Sequence, residues 1–378
     1  MESVLRRTWA EIDLDALAHN LAVIRAQVGE GVKLLGVVKA DAYGHGAVPV
    51  ARKLEALGAD YLAVSNIDEA AELRDGGVTL PVLMLGFTPA EQAERVVRIG
   101  MTQAVPNLEI ARAYDAAAAR VGQPMRVHIK LDTGMGRLGF PCDDAHFDAS
   151  LRDIREVLAL PHLDVEGVFT HFAVSDEDAP EHVDFTRLQH DRFLRMIDAA
   201  ERGGFRFRLR HCCNAGGIAS YPAWAGDMVR CGIILYGTGE LAERMGMKPV
   251  MRFKTTVATV RDFDPDTSVS YGRTYFTDKP SRIAVLSVGY ADGLHRALSN
   301  RMTVKTPYGM ARQVGRICMD MCMIDVTDQP QLRSGDEVEI FGENVPCETL
   351  ARACGTISYE LLCAMSKRVP RQYREAKA

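Results

Sequence analysis

The residues of this sequence best suited to chemistry follow short apolar segments within the first 240 positions. Lys39 directly follows the apolar segment 34–38, and Tyr43, Gly44 and Gly46 come next in a tight loop. A lysine that is partly withdrawn from water loses proton affinity and can form a Schiff base with an aldehyde. A strand-terminal lysine that reaches into water is the alternative, but the loop that follows favours a reactive amine at Lys39.

Other side chains with reactive or charged ends follow later apolar segments in the same way. They are Lys130 and Arg137 after segment 127–131, His171 after 165–169, Asn214 after 209–212, and Arg230 with Gly232 beside 233–236. Arg230 lies in an apolar stretch, where a guanidinium is costly to bury unless a ligand nitrogen or a carboxylate accepts its hydrogen bonds. His171 is either a histidine satisfied inside the core or a site residue. Because no second histidine lies at metal spacing, we expect no metal.

Residues 131–139 contain the spacing G-x-G-x-x-G after an apolar segment. This spacing alone suggests a dinucleotide-binding loop. Such a loop runs straight into a helix, however, whereas Phe140 and Pro141 follow here. We therefore interpret the glycines as allowing a sharp turn that aims Arg137 into the site.

The elements that must position these residues alternate regularly. A helical pattern begins at an Asp13 cap and continues to Val28, and helical stretches then separate most of eight short apolar segments. The segments are 34–38, 61–64, 82–85, 103–105, 127–131, 165–169, 209–212 and 233–236. Eight such units predict an α/β fold, a (β/α)8 barrel of the TIM type over residues 1–240, with a doubly wound open sheet as the alternative. Active sites of such barrels lie at the carboxyl ends of the strands, so the reactive side chains should meet at one rim.

Beyond residue 240 the pattern changes to one strand after another. The segments 253–260, 283–288, 302–304, 321–326 and 337–341 are separated by turn signals. Strands without intervening helices predict a smaller, mainly β domain over residues 241–378, with one late helix over 348–366. Tyr271 and Tyr290, each next to a glycine, lie where strands give way to loops, and they are either packing residues or parts of the site.

Composition and charge argue against several classes of protein. The 378 residues carry a formal net charge of −5 and show no basic stripe of the kind that nucleic acid requires. No apolar run is long enough to span a membrane, and residues 1–11 lack the apolar region of a secretory signal. The nine cysteines form no C-x-x-C pair, so we expect free thiols in a reducing cytoplasm. The expected partner is a small molecule or a second copy of the chain.

Taken together, the motifs resemble those of the bacterial alanine racemases, which use pyridoxal 5′-phosphate (PLP). Residues 37–46, Val-Val-Lys-Ala-Asp-Ala-Tyr-Gly-His-Gly, are similar to the PLP-lysine motif of that family. The resemblance covers nearly the whole chain in the family's order, at residues 130–139, 171, 211–214, 228–237, 269–272, 289–293, 316–320, 356–360 and 367–371. Other PLP barrels share the first motif loosely, whereas the set that includes Tyr271 and Met319 is highly specific.

The resemblance implies a role toward the cofactor for each matching residue. Lys39 would hold PLP covalently, Arg230 would face the pyridine nitrogen of PLP, and His171 would support Arg230. An arginine is too weak an acid to protonate that nitrogen, which should limit side reactions such as transamination. The other cofactor-binding residues implied are Tyr43, Leu85, Asn214, Gly232, Ile233 and Tyr359.

The implied reaction interconverts L-alanine and D-alanine and supplies D-alanine for cell-wall peptidoglycan. One base on each face of the substrate Cα removes or delivers a proton without moving the substrate. Lys39 is one base and Tyr271 of another subunit is the second, so the resemblance implies a homodimer with shared active sites. Arg137 and the Met319 backbone N–H from across the interface would bind the substrate carboxylate.

Three supporting residues complete the implied site, and one position departs from the family. Lys130, which the family often carries as a carbamate, would brace Arg137, and Tyr290 and Asp320 would support the site. The family usually has a phosphate-binding serine where this chain has Ala215. That difference puts one phosphate contact in doubt, but not the cofactor.

Three alternative functions compete with this interpretation. A PLP-dependent decarboxylase of similar architecture would be expected to place a carboxylate, not Arg230, at the pyridine nitrogen. A non-enzymatic PLP carrier would have no use for a second domain that carries Tyr271 and Met319. A racemase for serine or another small amino acid stays open, because pocket size is not readable from the sequence.

Overall fold

The computed structural model describes residues 7–376, and its elements alternate over the first part of the chain and then become mostly strands. The strands are β1 Thr8–Asp13, β2 Lys33–Val37, β3 Tyr61–Val64, β4 Val82–Met84, β5 Thr102–Val105, β6 Met125–Asp132, β7 Phe140–Pro141, β8 Leu163–Phe169, β9 Leu209–His211, β10 Met228–Cys231, β11 Met251–Phe263, β12 Ser281–Leu286, β13 Thr303–Thr306, β14 Gly309–Val314, β15 Cys322–Asp325, β16 Glu337–Phe341 and β17 Arg371–Arg374. The α-helices are α1 Leu14–Val28, α2 Ala47–Ala56, α3 Ile67–Asp75, α4 Ala93–Arg98, α5 Leu108–Val121, α6 Phe147–Leu158, α7 Pro180–Glu201, α8 Ala215–Ser220, α9 Glu240–Arg244, α10 Cys347–Cys354 and α11 Ser358–Cys363. Between residues 7 and 376, no helix is both long and apolar enough to cross a membrane.

Eight parallel strands form the predicted barrel, which the structure confirms. Their order is β10-β2-β3-β4-β5-β6-β8-β9. The barrel closes between β9 and β10, where the backbone N–H groups of Asp227 and Arg230 donate to the carbonyls of Arg210 and Cys213 at 2.9 and 3.0 Å. Helices cover the outer face, so strands such as β3 are buried along their whole length.

Two predicted elements are wrong in position or extent. Segment 233–236 is a 3-10 helix, Ile233–Tyr236, and the eighth strand is Met228–Cys231 just before it. In a short, fully buried apolar run, hydrophobic periodicity does not distinguish a strand from a helix. In addition, Arg230 interrupts the apolar pattern of the true strand. The single helix expected over 348–366 is two helices, because Gly355 adopts the left-handed conformation (φ 72°) that ends α10.

The second sheet has eight strands in the order β12-β15-β14-β13-β16-β11-β1-β17, which confirms a mainly β C-terminal part. Strand β11 also pairs with β12, so the six strands from β12 to β11 close on themselves. Among the described residues, β1 and β17 pair in parallel, and the other strand pairs of this sheet are antiparallel. The first strand of the chain therefore belongs to the C-terminal sheet, and it joins that sheet to the barrel through α1.

The chain enters the barrel through α1, which begins at the predicted cap. The Asp13 carboxylate accepts hydrogen bonds from the backbone N–H groups of Asp15 and Ala16 at 3.0 and 2.8 Å. Such a cap satisfies N–H groups that have no acceptor within the helix. The start of α1 is thereby fixed directly after β1.

Candidate active site

A cavity of about 400 Å³ opens at the carboxyl ends of the barrel strands. It brings together every predicted site residue of the barrel, and Tyr359 from α11 joins them. These are Lys39, Tyr43, Leu85, Lys130, Arg137, His171, Asn214, Arg230, Gly232, Ile233 and Tyr359. Ala215 borders the same cavity. The rim predicted from the barrel pattern is therefore one continuous site.

The segment that follows Lys39 is a turn of left-handed helix, which we call the left-handed turn. Ala40, Asp41, Ala42 and Tyr43 all have φ between 52° and 54°. A left-handed conformation costs a residue other than glycine about 1–2 kcal/mol, because its Cβ approaches the following carbonyl oxygen. Four such residues in succession need outside support.

Three side chains from two other elements supply that support. Glu69 on α3 accepts hydrogen bonds from the backbone N–H groups of Ala40 and Ser65, both at 2.7 Å. On β17, the Arg371 Nε donates to the Gly44 carbonyl at 3.0 Å, and the Tyr373 hydroxyl donates to the His45 carbonyl at 3.1 Å. The C-terminal sheet thus helps to hold the segment that presents Lys39.

Lys39 itself lies half-buried at the start of this turn. Burial lowers the pKa of its amine, and the nearby Arg137 guanidinium lowers it further. A lower pKa leaves more of the amine neutral and nucleophilic near neutral pH. Burial and the charge of Arg137 are thus the physical reasons for the reactive amine that the sequence predicts at Lys39.

Arg230 is almost completely buried on β10 and is held by backbone carbonyls. Its NH1 donates to the His211 carbonyl at 3.0 Å, and its NH2 donates to the carbonyls of Thr170 and Cys212 at 2.8 and 2.9 Å. The ring nitrogen Nδ1 of His171 lies 3.4 Å from NH2. Burial lowers the pKa of Arg230 to about 10, so the guanidinium stays charged near neutral pH.

Lys130 differs from Arg230 in its environment, because its amine has no hydrogen-bond acceptor among the described residues. Its Nζ is buried without a hydrogen-bond partner among the described residues, and it lies 4.7 Å from the centre of the Phe169 ring. Burial lowers the pKa of this amine well below its usual value, and the charges of Arg230 and Arg137 act in the same direction. Burial and these two charges therefore favour the neutral form of the Lys130 amine.

The loop that carries Arg137 is organised by a carboxylate that the sequence analysis did not single out. Asp132, at the end of β6, accepts hydrogen bonds from the backbone N–H groups of Gly134, Gly136 and Arg137 at 3.0, 3.1 and 3.1 Å. Two of these donors are glycines with positive φ, 141° and 69°. The glycines thus serve a sharp turn, as predicted, and no helix follows them.

The end of the cavity that Tyr43 and Tyr359 line contains hydroxyl groups and the N-termini of two short helices. The rings of Tyr43 and Tyr359 meet edge to face with their centres 6.1 Å apart. The 3-10 helix Ile233–Tyr236 begins here, and its first backbone N–H groups have no acceptor within the helix. Asn214 caps α8, because its Oδ1 accepts from the Gly217 N–H at 3.0 Å. This end offers donors suited to an anion.

Four predicted site residues lie elsewhere on this chain, in segments that connect strands of the C-terminal sheet. Tyr271, Met319 and Asp320 line a separate cavity of about 630 Å³. Tyr290 lies next to it, since its backbone N–H donates to the Cys318 carbonyl at 3.0 Å. Tyr271 is 71% exposed, so its hydroxyl is open to another molecule. Within one chain, the structure does not bring Tyr271 and Lys39 into one cavity.

Comparison with known protein families matches both parts of the chain. The family described as alanine racemase, N-terminal domain, matches residues 12–240. The family described as alanine racemase, C-terminal domain, matches residues 250–373.

Individual relatives match over almost their full length. The chain is 44% identical to the alanine racemase of Desulfovibrio desulfuricans, over 99% of this chain and 100% of that protein. It is 42% identical to alanine racemase 2 of Caldanaerobacter subterraneus, over 98% and 95% of the two chains. The solved structure of alanine racemase from Clostridium difficile superposes with a TM-score of 0.92 at 39% identity, covering 98% of this chain and 96% of that one.

Proposed function

Because the chain belongs to the alanine racemase family, we propose that its barrel-mouth cavity and Tyr271 of a second copy form the active site that interconverts L-alanine and D-alanine. The observation that carries this proposal is one cavity lined by a lysine of lowered pKa, Lys39, together with the buried Arg230 and a second lysine, Lys130. Family membership favours a racemase over a PLP decarboxylase or a PLP carrier. Arg230 in place of a carboxylate supports the same choice.

The residues around the cavity fit PLP as the cofactor. The Lys39 amine can take up an aldehyde, and the Nε of Arg230 has no acceptor among residues 7–376, which leaves one donor for a ring nitrogen. The hydroxyls of Tyr43 and Tyr359 and the start of the 3-10 helix Ile233–Tyr236 would hold the phosphate. When bound, PLP withdraws the electron pair that remains at the substrate Cα after a proton leaves.

The protein's own residues then bind the substrate and move its Cα proton. The Arg137 guanidinium binds the substrate carboxylate, as the fork of an arginine is suited to do. The Lys39 amine removes or returns the proton on one face of Cα. The opposite face needs a second base, and the exposed hydroxyl of Tyr271 from another copy provides it. The active unit is therefore a homodimer, with the Met319 backbone N–H from the same second copy on the carboxylate. We further propose that the D-alanine serves peptidoglycan synthesis.

A direct assay tests this function and separates it from the alternatives. Purified protein is incubated with L-alanine, L-serine and larger L-amino acids in turn, and the D-product is measured with a D-amino-acid oxidase. We expect the highest rate with L-alanine. A higher rate with serine would mean a serine racemase, and release of CO2 without a D-product would mean a decarboxylase.

The buried Lys130 amine, which has no hydrogen-bond partner among the described residues and whose pKa is lowered, motivates a prediction about its chemical state. A neutral amine reacts with CO2 to give a carbamate and one released proton, and the negative carbamate would pair with the neighbouring guanidinium of Arg137. Protein equilibrated with ¹³C-bicarbonate should show a carbamate carbon resonance that Lys130→Gln lacks and Lys33→Gln retains. The Lys130→Gln variant should also bind alanine about tenfold more weakly. Absence of the resonance, together with activity indifferent to bicarbonate, would rule the carbamate out.

Ala215 gives a prediction about cofactor retention. It is the first residue of α8 and borders the cavity, so a serine there would add a hydroxyl where the phosphate is expected. A hydrogen bond to a charged group contributes about 1.5–3 kcal/mol, so Ala215→Ser should bind PLP about tenfold more tightly or better. Turnover at saturating PLP should not change, because the phosphate takes no part in proton transfer. The measurement is the dissociation constant of PLP after cofactor removal, with Ala219→Ser on the same helix as the control. Equal or weaker binding by Ala215→Ser would show that the phosphate needs no further donor.

A further inference from the structure

A chain of hydrogen bonds connects Arg230 to a carboxylate inside the barrel. Arg230 NH1 lies 3.1 Å from His211 Nδ1, and His211 Nε2 lies 2.9 Å from His128 Nδ1. His128 Nε2 lies 3.0 Å from Glu166 Oε2, and the Tyr61 hydroxyl donates to the same oxygen. Both imidazoles are fully buried. We call Glu166, His128, His211 and Arg230 the barrel relay.

Only one arrangement of protons satisfies all three links of the barrel relay with neutral imidazoles. A guanidinium has donors and no acceptor, so His211 Nδ1 must accept. The proton of His211 is then on Nε2 and is donated to His128 Nδ1. His128 in turn carries its proton on Nε2 and donates it to Glu166. Every hydrogen bond therefore points from Arg230 toward the carboxylate.

The barrel wall is built to accommodate this relay. Between His128 and its neighbour Val127, the register of β6 against β8 shifts, and Glu166 is the extra residue in β8. Such a bulge redirects a side chain. Gly167 follows it, and a Cβ there would lie 2.8 Å from both Cε1 and Nδ1 of the His128 ring. Only glycine leaves room for the ring in its present place.

The charges along the relay agree with that arrangement of protons. Burial opposes ionisation of Glu166, but the hydrogen bonds from His128 and Tyr61 outweigh it and hold the pKa of this carboxyl at about 2. Burial lowers the pKa of both His128 and His211. Arg230 makes no ion pair with a carboxylate among the described residues, so Glu166 is the anion to which its charge is linked.

We propose that Glu166 is a positioning residue, which acts through His128 and His211 to fix the orientation of Arg230 and to offset its buried charge. Because His128 accepts the proton on His211 Nε2, His211 Nδ1 stays available to accept from Arg230. Its effect on catalysis rests on the proposed function, since Arg230 is there the partner of the cofactor ring. The arrangement of protons itself does not depend on that function.

The first test reads the imidazole protons directly. In ¹⁵N NMR of the purified protein, with resonances assigned from His128→Gln and His211→Gln, both histidines should be Nε2–H tautomers that do not titrate between pH 6 and 9. Gly167→Ala should shift the resonances of both rings, because its Cβ displaces His128. Gly203→Ala, where a Cβ meets nothing closer than 3.7 Å, should shift neither. An Nδ1–H tautomer or a titrating ring would overturn the relay.

The second test asks whether Glu166 acts through Arg230. Glu166→Gln keeps the shape and the hydrogen-bond acceptor but removes the charge, and it should raise the dissociation constant of PLP about tenfold. In an Arg230→Lys background the same change should have no further effect, because contacting residues in one network are not additive. Asp164→Asn on the same strand removes a carboxylate that, within residues 7–376, forms ion pairs with Arg126 and Arg208 and none with the barrel relay, so it should leave PLP binding unchanged.

The outcomes separate this proposal from the proposed function. An equal effect of Glu166→Gln in both backgrounds, or an equal effect of Asp164→Asn, would overturn the positioning role. Protein that shows the expected tautomers and coupling but does not racemise alanine would leave the relay intact and refute the racemase assignment.

Discussion

Replacing Lys39 with alanine should abolish racemisation, with a loss of about a thousandfold or more, because in the proposed mechanism this side chain both holds the cofactor and acts as a base. Borohydride reduction of the wild-type protein should fix the cofactor on the peptide that contains Lys39. The Lys39→Ala protein should keep its fold, since the half-buried side chain makes no hydrogen bond that its neighbours need.

A lysine on the strand that precedes Lys39 provides the matched control. Lys33 begins β2 on the surface, where its amine lies 3.3 Å from Asp60. Lys33→Ala should retain full activity and normal borohydride labelling of Lys39. Label recovered on any other lysine, Lys130 included, would show that the cofactor is held elsewhere.

Replacing Tyr271 with phenylalanine should reduce racemisation about 10²–10⁴-fold, the usual contribution of a positioned acid or base. The remaining base serves only one face of Cα. In D2O, one alanine enantiomer should therefore still exchange its Cα proton in the Tyr271→Phe protein, while the other does not. Proton NMR of the two substrates measures this difference, with Tyr308→Phe, another exposed tyrosine of the same sheet, as the control. Exchange of both enantiomers at normal rates would remove Tyr271 from the mechanism.

Mixing the two inactive proteins tests whether the site is shared between copies. If Lys39→Ala and Tyr271→Phe subunits reassort at random, half of the dimers are hybrids, and each hybrid has one complete site. Roughly a quarter of wild-type activity should return. Activity that stays at the background level after exchange has been demonstrated would mean that each chain uses its own tyrosine.

The pattern of the sequence was sufficient for most of the barrel, and the exceptions have physical causes. Seven of the eight segments lie on strands because parallel strands covered on both sides are short apolar runs. The eighth strand was predicted a few residues too late, at 233–236, because Arg230 interrupts the apolar run of the true strand Met228–Cys231. Strand β14 was not predicted, since its buried face includes Gln313, whose amide donates to backbone carbonyls instead of packing as an apolar side chain. Hydrophobic periodicity does not predict a strand whose buried face carries a polar side chain.

Some residues of the candidate site could likewise be predicted from the sequence, and others could not. Residues in continuous motifs, such as Lys39 and Arg230, were recognisable because type and spacing occur together. Glu166 and His128 were not singled out, because 38 residues separate them and only the register of β6 with β8 makes them neighbours. The carboxylate of Asp132 had a local signal, the glycines that follow it, but these glycines were interpreted only as a means of aiming Arg137. Long-range polar pairs have no signature in one sequence.

The left-handed turn after Lys39 also bears on the order in which the chain folds. Its supports include Arg371 and Tyr373, about 330 positions later, on a strand that pairs with the first strand of the chain. Each residue of this turn is in an energetically unfavourable conformation. The turn therefore does not form before the residues that support it are in place. During synthesis, a barrel that has already left the ribosome would still lack a correctly presented Lys39. Cofactor attachment should therefore come last, so that incomplete chains do not consume PLP.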